Sequence, residues 1–528
     1  MNVHTMKRVG ALVLGLLGPQ VSFATPPAAP QVTVGADIKQ LHFDWDIVPR
    51  SNYYEFWFKA NDGAPYVKFS ELEPWQPQAT NNISAHLLDW SQARYQIKAC
   101  NFSGCTPSPE LAVHDRMFES IGYFKPSGSY RNGNFGNSAA ISEDGKTIAV
   151  FAGNEPVAGG NVASVYLFTK VNGAWHQQKR IVPSTTAPGL HNVGLVYPAS
   201  GALSLSGDGN RLMTSMPLCL SADSSCRQML SVWVRSGTTW TREYQVVGQS
   251  QFVVATAQMN EAGDRIVYRA SNYNQPLEML ERTTAGWTKH APIPQDPDGY
   301  GCGVWLSGDG ATIARACSYN PTPSEEYQTH LVIARAPAWN IVYDFKLEWP
   351  SGHPYGGFAI DYAGTTVAFA SSILVDYPLA DQRPQVQVLR IADGDLSTSI
   401  LHAGSWAPAE YGTFGRALAL SRDGGLLAIS NGHDRGLGRG VLSPPLLAGT
   451  VKTGATSIFE LRPNGPRLRR TIKPESDRPD ARLRDSLSFA NNGRTLLIAD
   501  PDDASRAMGI NGDRDDTSLP GAGALWLY

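Results

Sequence analysis

The sequence Ala139-Ala-Ile-Ser-Glu-Asp-Gly-Lys-Thr-Ile-Ala-Val150 places two short apolar segments on either side of a turn that ends in Gly145. Asp-Gly between alternating segments is a strong β-hairpin signal, because both turn positions tolerate positive φ. The same pattern occurs seven times, 47 to 69 residues apart, with turns that end at Gly145, Gly209, Gly263, Gly310, Gly364, Gly424 and Gly493. A repeat of this length is too short to close its own core and predicts a radial or stacked array.

Two further strands are expected in each repeat. A third apolar segment follows the hairpin, as at residues 162–168, and a fourth begins near a tryptophan, as at Trp175, Trp240 and Trp287. Four strands form one propeller blade, so residues 116–528 are predicted to form a seven-bladed β-propeller. Residues 119–125 precede the first repeat without a blade of their own, and we expect them to supply the outer strand of the last blade.

The amino-acid composition limits which fold classes and binding partners are possible. A chain of 528 residues should divide into domains. Its 51 Gly and 36 Pro suit many tight turns between short strands, which predicts an all-β protein. Charged residues make up 17 % and the net charge is −3, so nucleic acid is not expected as a partner.

The first 24 residues are typical of a secretory signal peptide. Lys7 and Arg8 precede a short apolar segment at 9–17, and Ser22-Phe23-Ala24 supplies a cleavage site near Ala24. Residues 25–30 indicate a stiff linker. No later segment is long enough to span a bilayer, so the mature chain is expected in the periplasm, on the cell surface or in the medium.

The six cysteines fall into three local pairs: Cys100 with Cys105, Cys219 with Cys226, and Cys302 with Cys317. An even count in an exported chain favours disulfides over metal ligands, although the metal alternative stays open. A two-residue turn at Asp309-Gly310 would place Cys302 directly across from Cys317, within reach of a disulfide.

Residues 31–115 resemble a fibronectin type III domain. The resemblance rests on Trp45, on the alternating aromatic residues Tyr54, Phe56 and Phe58, and on the segment 95–104. It implies a small β-sandwich before the propeller. Cys100 and Cys105 depart from the commonest pattern of such domains and would staple the turn after the segment.

Residues 117–528 resemble FG-GAP repeats, the propeller units of integrin α-chain heads and of bacterial exported proteins. Phe135-Gly136 and Phe414-Gly415 carry the motif ahead of their hairpins, and residues 508–528 resemble a later part of such a repeat. Other repeats show Tyr300-Gly301 or Tyr355-Gly356 instead. The resemblance implies a scaffold for recognition or cell adhesion.

An acidic loop after the last hairpin is the candidate metal site. Ca²⁺ takes six to eight oxygen ligands, which clustered Asp and Asn can supply. The candidate ligands are Asp500, Asp502, Asp503, Asn511, Asp513 and Asp515. The alternative is a solvated loop, since the inner turns lack the Asp-x-Asp-x-Asp-Gly pattern of integrin-type Ca²⁺ loops.

No zinc-protease, serine-hydrolase or Cys-x-x-Cys motif is present. We therefore expect an exported, non-catalytic binding or adhesion protein that recognises a surface glycan or an extracellular protein, with no cofactor unless Ca²⁺ binds. One alternative is a polysaccharide-acting enzyme with its site in the propeller funnel, which acidic and aromatic side chains around one opening would favour. Another is an assembly factor for a second exported protein.

Overall fold

The structure is a computed structural model that describes residues 25–158, 160–184, 191–192, 202–219, 226–248, 257–269, 277–290, 299–319, 328–347, 357–375, 381–392, 395–402, 414–443, 449, 453–474 and 486–528. The predicted signal peptide, 1–24, lies outside these residues. The chain divides into two compact units. The described part of the first comprises 25–34, 43–79 and 94–112, and the second draws on 35–42, 80–93 and 113–528. No helix within the described ranges is long and apolar enough to cross a membrane.

Residues 25–112 contain eight strands. They are β1 (Val32–Asp37), β2 (Gln40–Trp45), β3 (Tyr53–Lys59), β4 (Val67–Leu72), β5 (Gln78–Asn82), β6 (Arg94–Asn101), β7 (Gly104–Pro107) and β8 (Leu111–Ala112). One sheet has the order β1-β2-β5, and the other has the order β4-β3-β6-β7 with β8 beside β6. Alternate residues of β3 and β6 are buried, and the rings of Phe56 and Tyr95 stack with centroids 5.6 Å apart.

The repeats begin after the short helix α1 (His114–Met117) and the strand β9 (Gly122–Phe124). The first three repeats contain β10 (Phe135–Ile141), β11 (Thr147–Val157), β12 (Gly160–Val171), β13 (Ala174–Ile181), β14 (Ala202–Leu205), β15 (Arg211–Cys219), β16 (Cys226–Ser236), β17 (Thr239–Val247), β18 (Ala257–Met259), β19 (Arg265–Arg269), β20 (Leu277–Thr283) and β21 (Gly286–Lys289). The fourth and fifth contain β22 (Gly299–Leu306), β23 (Thr312–Tyr319), β24 (Gln328–Arg335), β25 (Asn340–Leu347), β26 (Phe358–Ile360), β27 (Thr366–Val375), β28 (Asp381–Ala392) and β29 (Asp395–His402). The last two contain β30 (Phe414–Leu420), β31 (Leu426–Asn431), β32 (Gly440–Leu442), β33 (Ala455–Arg462), β34 (Gly465–Lys473), β35 (Ser486–Ala490), β36 (Thr495–Asp500) and β37 (Ala524–Leu527).

Each repeat forms its own antiparallel sheet. The first five sheets take four consecutive strands each, from β10-β11-β12-β13 to β26-β27-β28-β29. The sixth has five strands in the order β30-β31-β33-β34-β32, and the seventh has the order β35-β36-β37-β9. The all-β prediction is therefore confirmed. So is the expectation that the segment before the first repeat supplies the outer strand of the last sheet, since β9 pairs with β37 at Phe124 and Leu525.

The first strands of the seven sheets contact one another in a cycle. β10 contacts β14, and the contacts continue through β18, β22, β26 and β30 to β35, which contacts β10 again. Apolar side chains fill the spaces between neighbouring sheets, as Phe151 of the first sheet and Leu212 of the second do in one shared cluster. Each sheet thus buries its faces against its two neighbours, which is why a single repeat cannot fold alone.

The segments 35–42 and 80–93, which the resemblance places in the sandwich domain, belong to the second unit. The Lys39 ammonium donates to the main-chain oxygen of Arg494 at 2.8 Å, and His86 Nε2 bonds to that of Gly493 at 2.8 Å. His86 is fully buried, and burial lowers its pKa to about 3, so this imidazole is neutral. Both segments therefore contact the last hairpin of the repeats directly.

The cysteine predictions have different outcomes. Cys100 and Cys105 form a disulfide across the β6–β7 hairpin. Cys219 is disulfide-bonded and lies opposite Cys226 in the register of β15 and β16, but the side chain of Cys226 is outside the described set. The expected register of β22 and β23 is confirmed at Gly303–Ala316, with an irregularity between Tyr300 and Gly303. The side chains of Cys302 and Cys317 are not described, so that disulfide stays a prediction.

Candidate functional site at the ring of hairpin turns

Four of the seven hairpin turns between the first two strands of a sheet share one hydrogen-bond arrangement. In the first turn, the Ser142 hydroxyl donates to Asp144 Oδ1 at 2.6 Å and accepts the N–H of Thr147 at 3.0 Å. Asp144 Oδ1 also accepts the N–H of Lys146 at 3.0 Å. The pairs Ser206–Asp208, Ser307–Asp309 and Ser421–Asp423 repeat the hydroxyl–carboxylate bond. The aspartate of the Ser-x-Asp-Gly pattern therefore closes its own turn.

Hydrogen bonds join the seven turns, at 142–145, 206–209, 260–263, 307–310, 361–364, 421–424 and 490–493, into a cycle that we call the turn ring. Six of the links are backbone bonds, from Asp144 N to Gly207 O, Gly207 N to Glu261 O, Glu261 N to Gly308 O, Asp309 N to Tyr362 O, Tyr362 N to Arg422 O, and Asn491 N to Glu143 O. The seventh runs from the N–H of Asp423 to the Asn492 side-chain oxygen at 3.0 Å. The ring is therefore closed by direct contact of neighbouring turns.

The turn glycines make this approach possible. Gly364 has φ +67°, and a Cβ there would lie 2.4 Å from Thr312, in the hairpin of the preceding sheet. Only glycine combines the left-handed conformation with so close a neighbour.

A cavity of about 960 Å³ lies at the turn ring. It is lined by Glu143, Asp144, Gly207, Asp208, Glu261, Ala262, Tyr362, Ala363, Arg422, Asp423, Asn491 and Asn492. Five of these side chains are carboxylates and one is a guanidinium, so the cavity is acidic. Burial raises the pKa of Asp208 and Asp423, but several hydrogen bonds to each, including those from Ser206 and Ser421, together hold both pKa values below their usual range.

Arg422 links Tyr362 and Glu261 into one cluster within this cavity. The guanidinium carbon of Arg422 lies 3.6 Å from the centroid of the Tyr362 ring, and Arg422 Nε donates to Glu261 Oε2 at 3.0 Å. Stacking and the ion pair together fix the guanidinium plane.

Glu143 is the other notable carboxyl of the cavity. Burial, and to a smaller extent the neighbouring Glu261 carboxylate, raises its pKa. One of its oxygens accepts the N–H of Asn492 at 2.7 Å. A half-buried carboxyl with a raised pKa can act either as a hydrogen-bond partner or as a proton donor.

The predicted Ca²⁺ ligands are placed differently. Asp500 and Asp503 are buried, whereas Asp502, Asn511, Asp513 and Asp515 are exposed. Asp503 Oδ1 accepts from Lys125 Nζ at 3.0 Å and from Tyr123 Oη at 2.9 Å, and Asn511 Oδ1 accepts the N–H of Tyr123 at 3.0 Å. These residues therefore hold β9 and the segment after it.

Among the described residues, no three of the five candidate aspartates bring carboxylate oxygens within 4.8 Å of one another. Within that same part of the chain, the group that meets this distance is Glu55 with Cys100 and Cys105, whose sulfurs are already joined in a disulfide. Ca²⁺ binding by the acidic loop stays a prediction.

Sequence reasoning missed the cavity residues Glu143, Glu261, Tyr362 and Arg422, although a signal for them exists. Each occupies the second position of its hairpin turn, the variable residue of Ser-x-Asp-Gly or its variants. Across the seven turns this position holds Glu143, Gly207, Glu261, Gly308, Tyr362, Arg422 and Asn491. Comparing only these positions would have revealed the polar lining.

No described protein family matches the sequence. No curated protein matches it either. Among solved structures, the chain is similar to a GH74 enzyme from Niastella koreensis, with 9 % identity, a TM-score of 0.40, and coverage of 75 % of this chain and 69 % of that one. It is also similar to a GH93 α-L-arabinofuranosidase of Fusarium graminearum (15 % identity, TM-score 0.35, coverage 58 % and 91 %). A third similar structure is the WD40 domain of SCAP from fission yeast (7 % identity, TM-score 0.36, coverage 82 % and 87 %).

Proposed function

We propose that residues 116–528 form a seven-bladed, FG-GAP-like β-propeller, preceded by a fibronectin type III-like sandwich at 31–115. The cyclic contacts from β10 to β35 and the closure of the last sheet by β9 support the propeller. The two sheets that precede the repeats support the sandwich. We also propose that the chain is exported after cleavage near Ala24, which the Cys100–Cys105 disulfide supports.

We propose that the protein is a binding protein whose turn ring recognises a glycan. The observation that carries this proposal is the fixed cluster of Arg422, Tyr362 and Glu261 in a cavity of about 960 Å³. Sugar hydroxyls both donate and accept hydrogen bonds, and planar guanidinium, carboxylate and amide groups offer matching partners in fixed orientations. Several aspartates of the cavity already close their own turns, and the Asn492 amide bonds to Asp423. Arg422, Glu261 and Glu143 each form one hydrogen bond there and keep further donors or acceptors for a ligand.

A second candidate is hydrolysis of the bound glycan. It is favoured by the raised pKa of Glu143 together with the nearby carboxylate of Glu261, whose partner is Arg422. Glycoside hydrolysis needs one protonated and one ionised carboxyl group on the two sides of the bond. In this role Glu143 would donate the proton to the leaving oxygen.

The test is a glycan array probed with residues 25–528, with Ca²⁺ or with a chelator. We expect Arg422→Ala to weaken binding roughly tenfold or more, because it removes charge-assisted hydrogen bonds. Arg462→Ala is the matched control, since Arg462 is similarly exposed and forms an ion pair with Glu460 on β33. Equal binding by both variants would refute recognition at the turn ring, and loss of binding in the chelator alone would indicate the acidic loop.

The hydrolysis candidate is tested on the glycans that bind. Glu143→Gln should retain binding but abolish the release of reducing ends. If the wild-type protein releases none, the enzyme alternative is excluded for those glycans and the binding proposal stands.

A further inference from the structure

A second cavity, of about 750 Å³, adjoins the turn ring and shares Asp144 and Asn491 with the first. Its cationic side chains come from four separate places in the second unit: Lys39 from the turn between β1 and β2, Lys146 from the first hairpin, Lys170 from β12, and Arg494 from the last hairpin. The fold therefore gathers four positive groups from distant parts of the sequence around one space.

These cations are poorly neutralised. Asp144 is the single carboxylate in the lining, and its Oδ2 is 3.9 Å from Lys146 Nζ. Within the described part of the chain, no Asp or Glu carboxylate lies within 4.0 Å of Lys39, Lys170 or Arg494. Asp37 acts on Lys170 only through its longer-range charge. Like charges held together repel one another, and an anion in this cavity would reduce that repulsion.

Lys39 is held in place. Its ammonium donates to the main-chain oxygens of Arg494 at 2.8 Å and of Tyr528 at 3.0 Å, which leaves one of its three N–H groups for a ligand. Burial, and then the charge of Lys170, lowers the pKa of Lys39 to about 7. Burial also lowers the pKa of Lys170. An oxyanion in the cavity would add a charged partner for both ammonium groups.

The remaining lining is uncharged and has both apolar and polar side chains, the apolar ones being Ile83, Val171 and Trp175. Asn82, Ser84, Asn172 and Thr495 supply hydroxyl and amide groups beside the cations. This combination suits a ligand that carries a negative group on a frame with both hydroxyl groups and apolar faces, as a saccharide does.

We propose that this cavity binds an oxyanion, a carboxylate or sulfate substituent of an acidic saccharide whose neighbouring sugar units lie at the turn ring. The inference rests on the proposed glycan-binding function and names its ligand class. Lys146 and Lys170 contact the oxyanion, and the fixed Lys39 donates its remaining N–H.

Isothermal titration calorimetry of residues 25–528 with three probes tests the inference. The probes are a trigalacturonate, a sulfated galactose trisaccharide and the neutral galactose trisaccharide. We expect at least one acidic probe to bind roughly tenfold or more tightly than the neutral one, with an affinity that falls as salt is raised. Tighter binding of the trigalacturonate would indicate a carboxylate ligand, and tighter binding of the sulfated trisaccharide would indicate a sulfate ligand.

The variant Lys146→Gln/Lys170→Gln should remove this preference while neutral binding is unchanged. Lys179→Gln/Lys289→Gln is the control, because both of these lysines are exposed on outer strands, away from the cavity. Equal binding of acidic and neutral probes, or a preference that survives in the cavity variant, would overturn the inference and leave glycan binding standing. Absence of binding by all three, together with a negative glycan array, would instead overturn the proposed function.

Discussion

Removal of the Lys125 ammonium should destabilise the fold more than any surface charge change. Lys125 and Asp503 form an ion pair at 3.0 Å in which both side chains are fully buried. The same Asp503 oxygen accepts from Tyr123, which lies in β9, the strand that completes the seventh sheet. The pair therefore fixes the N-terminal segment to the last repeat and keeps the cycle of sheets closed.

The magnitude follows from burial. Lys125→Met leaves the Asp503 carboxylate buried without its cation, and breaking a buried pair in this way costs about 3–5 kcal/mol. Tyr123→Phe removes one hydrogen bond to that carboxylate and should cost about 1.5–3 kcal/mol. Arg462→Ala breaks an exposed ion pair with Glu460, and the expected change is about 0–1 kcal/mol.

The assay is equilibrium unfolding in urea, followed by tryptophan fluorescence and far-UV circular dichroism. The expected order of destabilisation is Lys125→Met, then Tyr123→Phe, then Arg462→Ala. A Lys125→Met protein as stable as Arg462→Ala would refute the idea that this pair secures the ring. Deletion of residues 117–126 should lower the melting temperature further, because it also exposes the edge of β37.

Three further predictions concern the turns, the lysine cavity and the cysteines. Gly364→Ala should lower the free energy of unfolding in urea by about 2–4 kcal/mol, because Ala disfavours the left-handed φ and its Cβ would clash with Thr312. Gly237→Ala, with φ +60° and no atom within 4 Å, should lower it by only about 1–2 kcal/mol, the conformational cost alone. Equal losses for the two variants would contradict the close packing of turns. Because the pKa of Lys39 is lowered to about 7, the unfolded chain binds more protons than the folded chain between pH 7 and the ordinary lysine pKa. The free energy of unfolding should therefore rise with pH over that range in the wild type, and rise less in Lys39→Met. Parallel pH profiles of the two proteins would show that Lys39 keeps an ordinary pKa. Mass spectrometry of unreduced peptides should find the pairs Cys219–Cys226 and Cys302–Cys317, and free thiols at these positions would contradict the pairing.

Local patterns predicted the repeats well because the hairpin signal is contained in a few adjacent residues. Asp309-Gly310 sets the register that pairs Gly303 with Ala316, and simple counting from the turn gives the same answer. The pairing of β9 with the last sheet was also predictable. The sequence showed one strand before the first repeat with no sheet of its own, and a last repeat with one strand too few, and pairing the two covers an exposed edge.

The cavities could not be predicted in the same way. Glu143 and Arg422 are 279 residues apart and meet only because the turns form a cycle. Lys39 lies in a segment that the resemblance assigns to another domain, and its role depends on hydrogen bonds to Arg494 and Tyr528. Conversely, the acidic loop suggested a metal site because sequence does not show that Asp503 faces Lys125.

Hydrogen-exchange mass spectrometry of residues 25–528, with and without a bound saccharide from the array, tests recognition at the turn ring most directly. We predict slow exchange in the free protein at the ring donors Asp144, Gly207 and Glu261, and added protection on binding in peptides that cover 142–147, 421–425 and 491–495. Protection confined to peptides outside the turn ring would contradict recognition there.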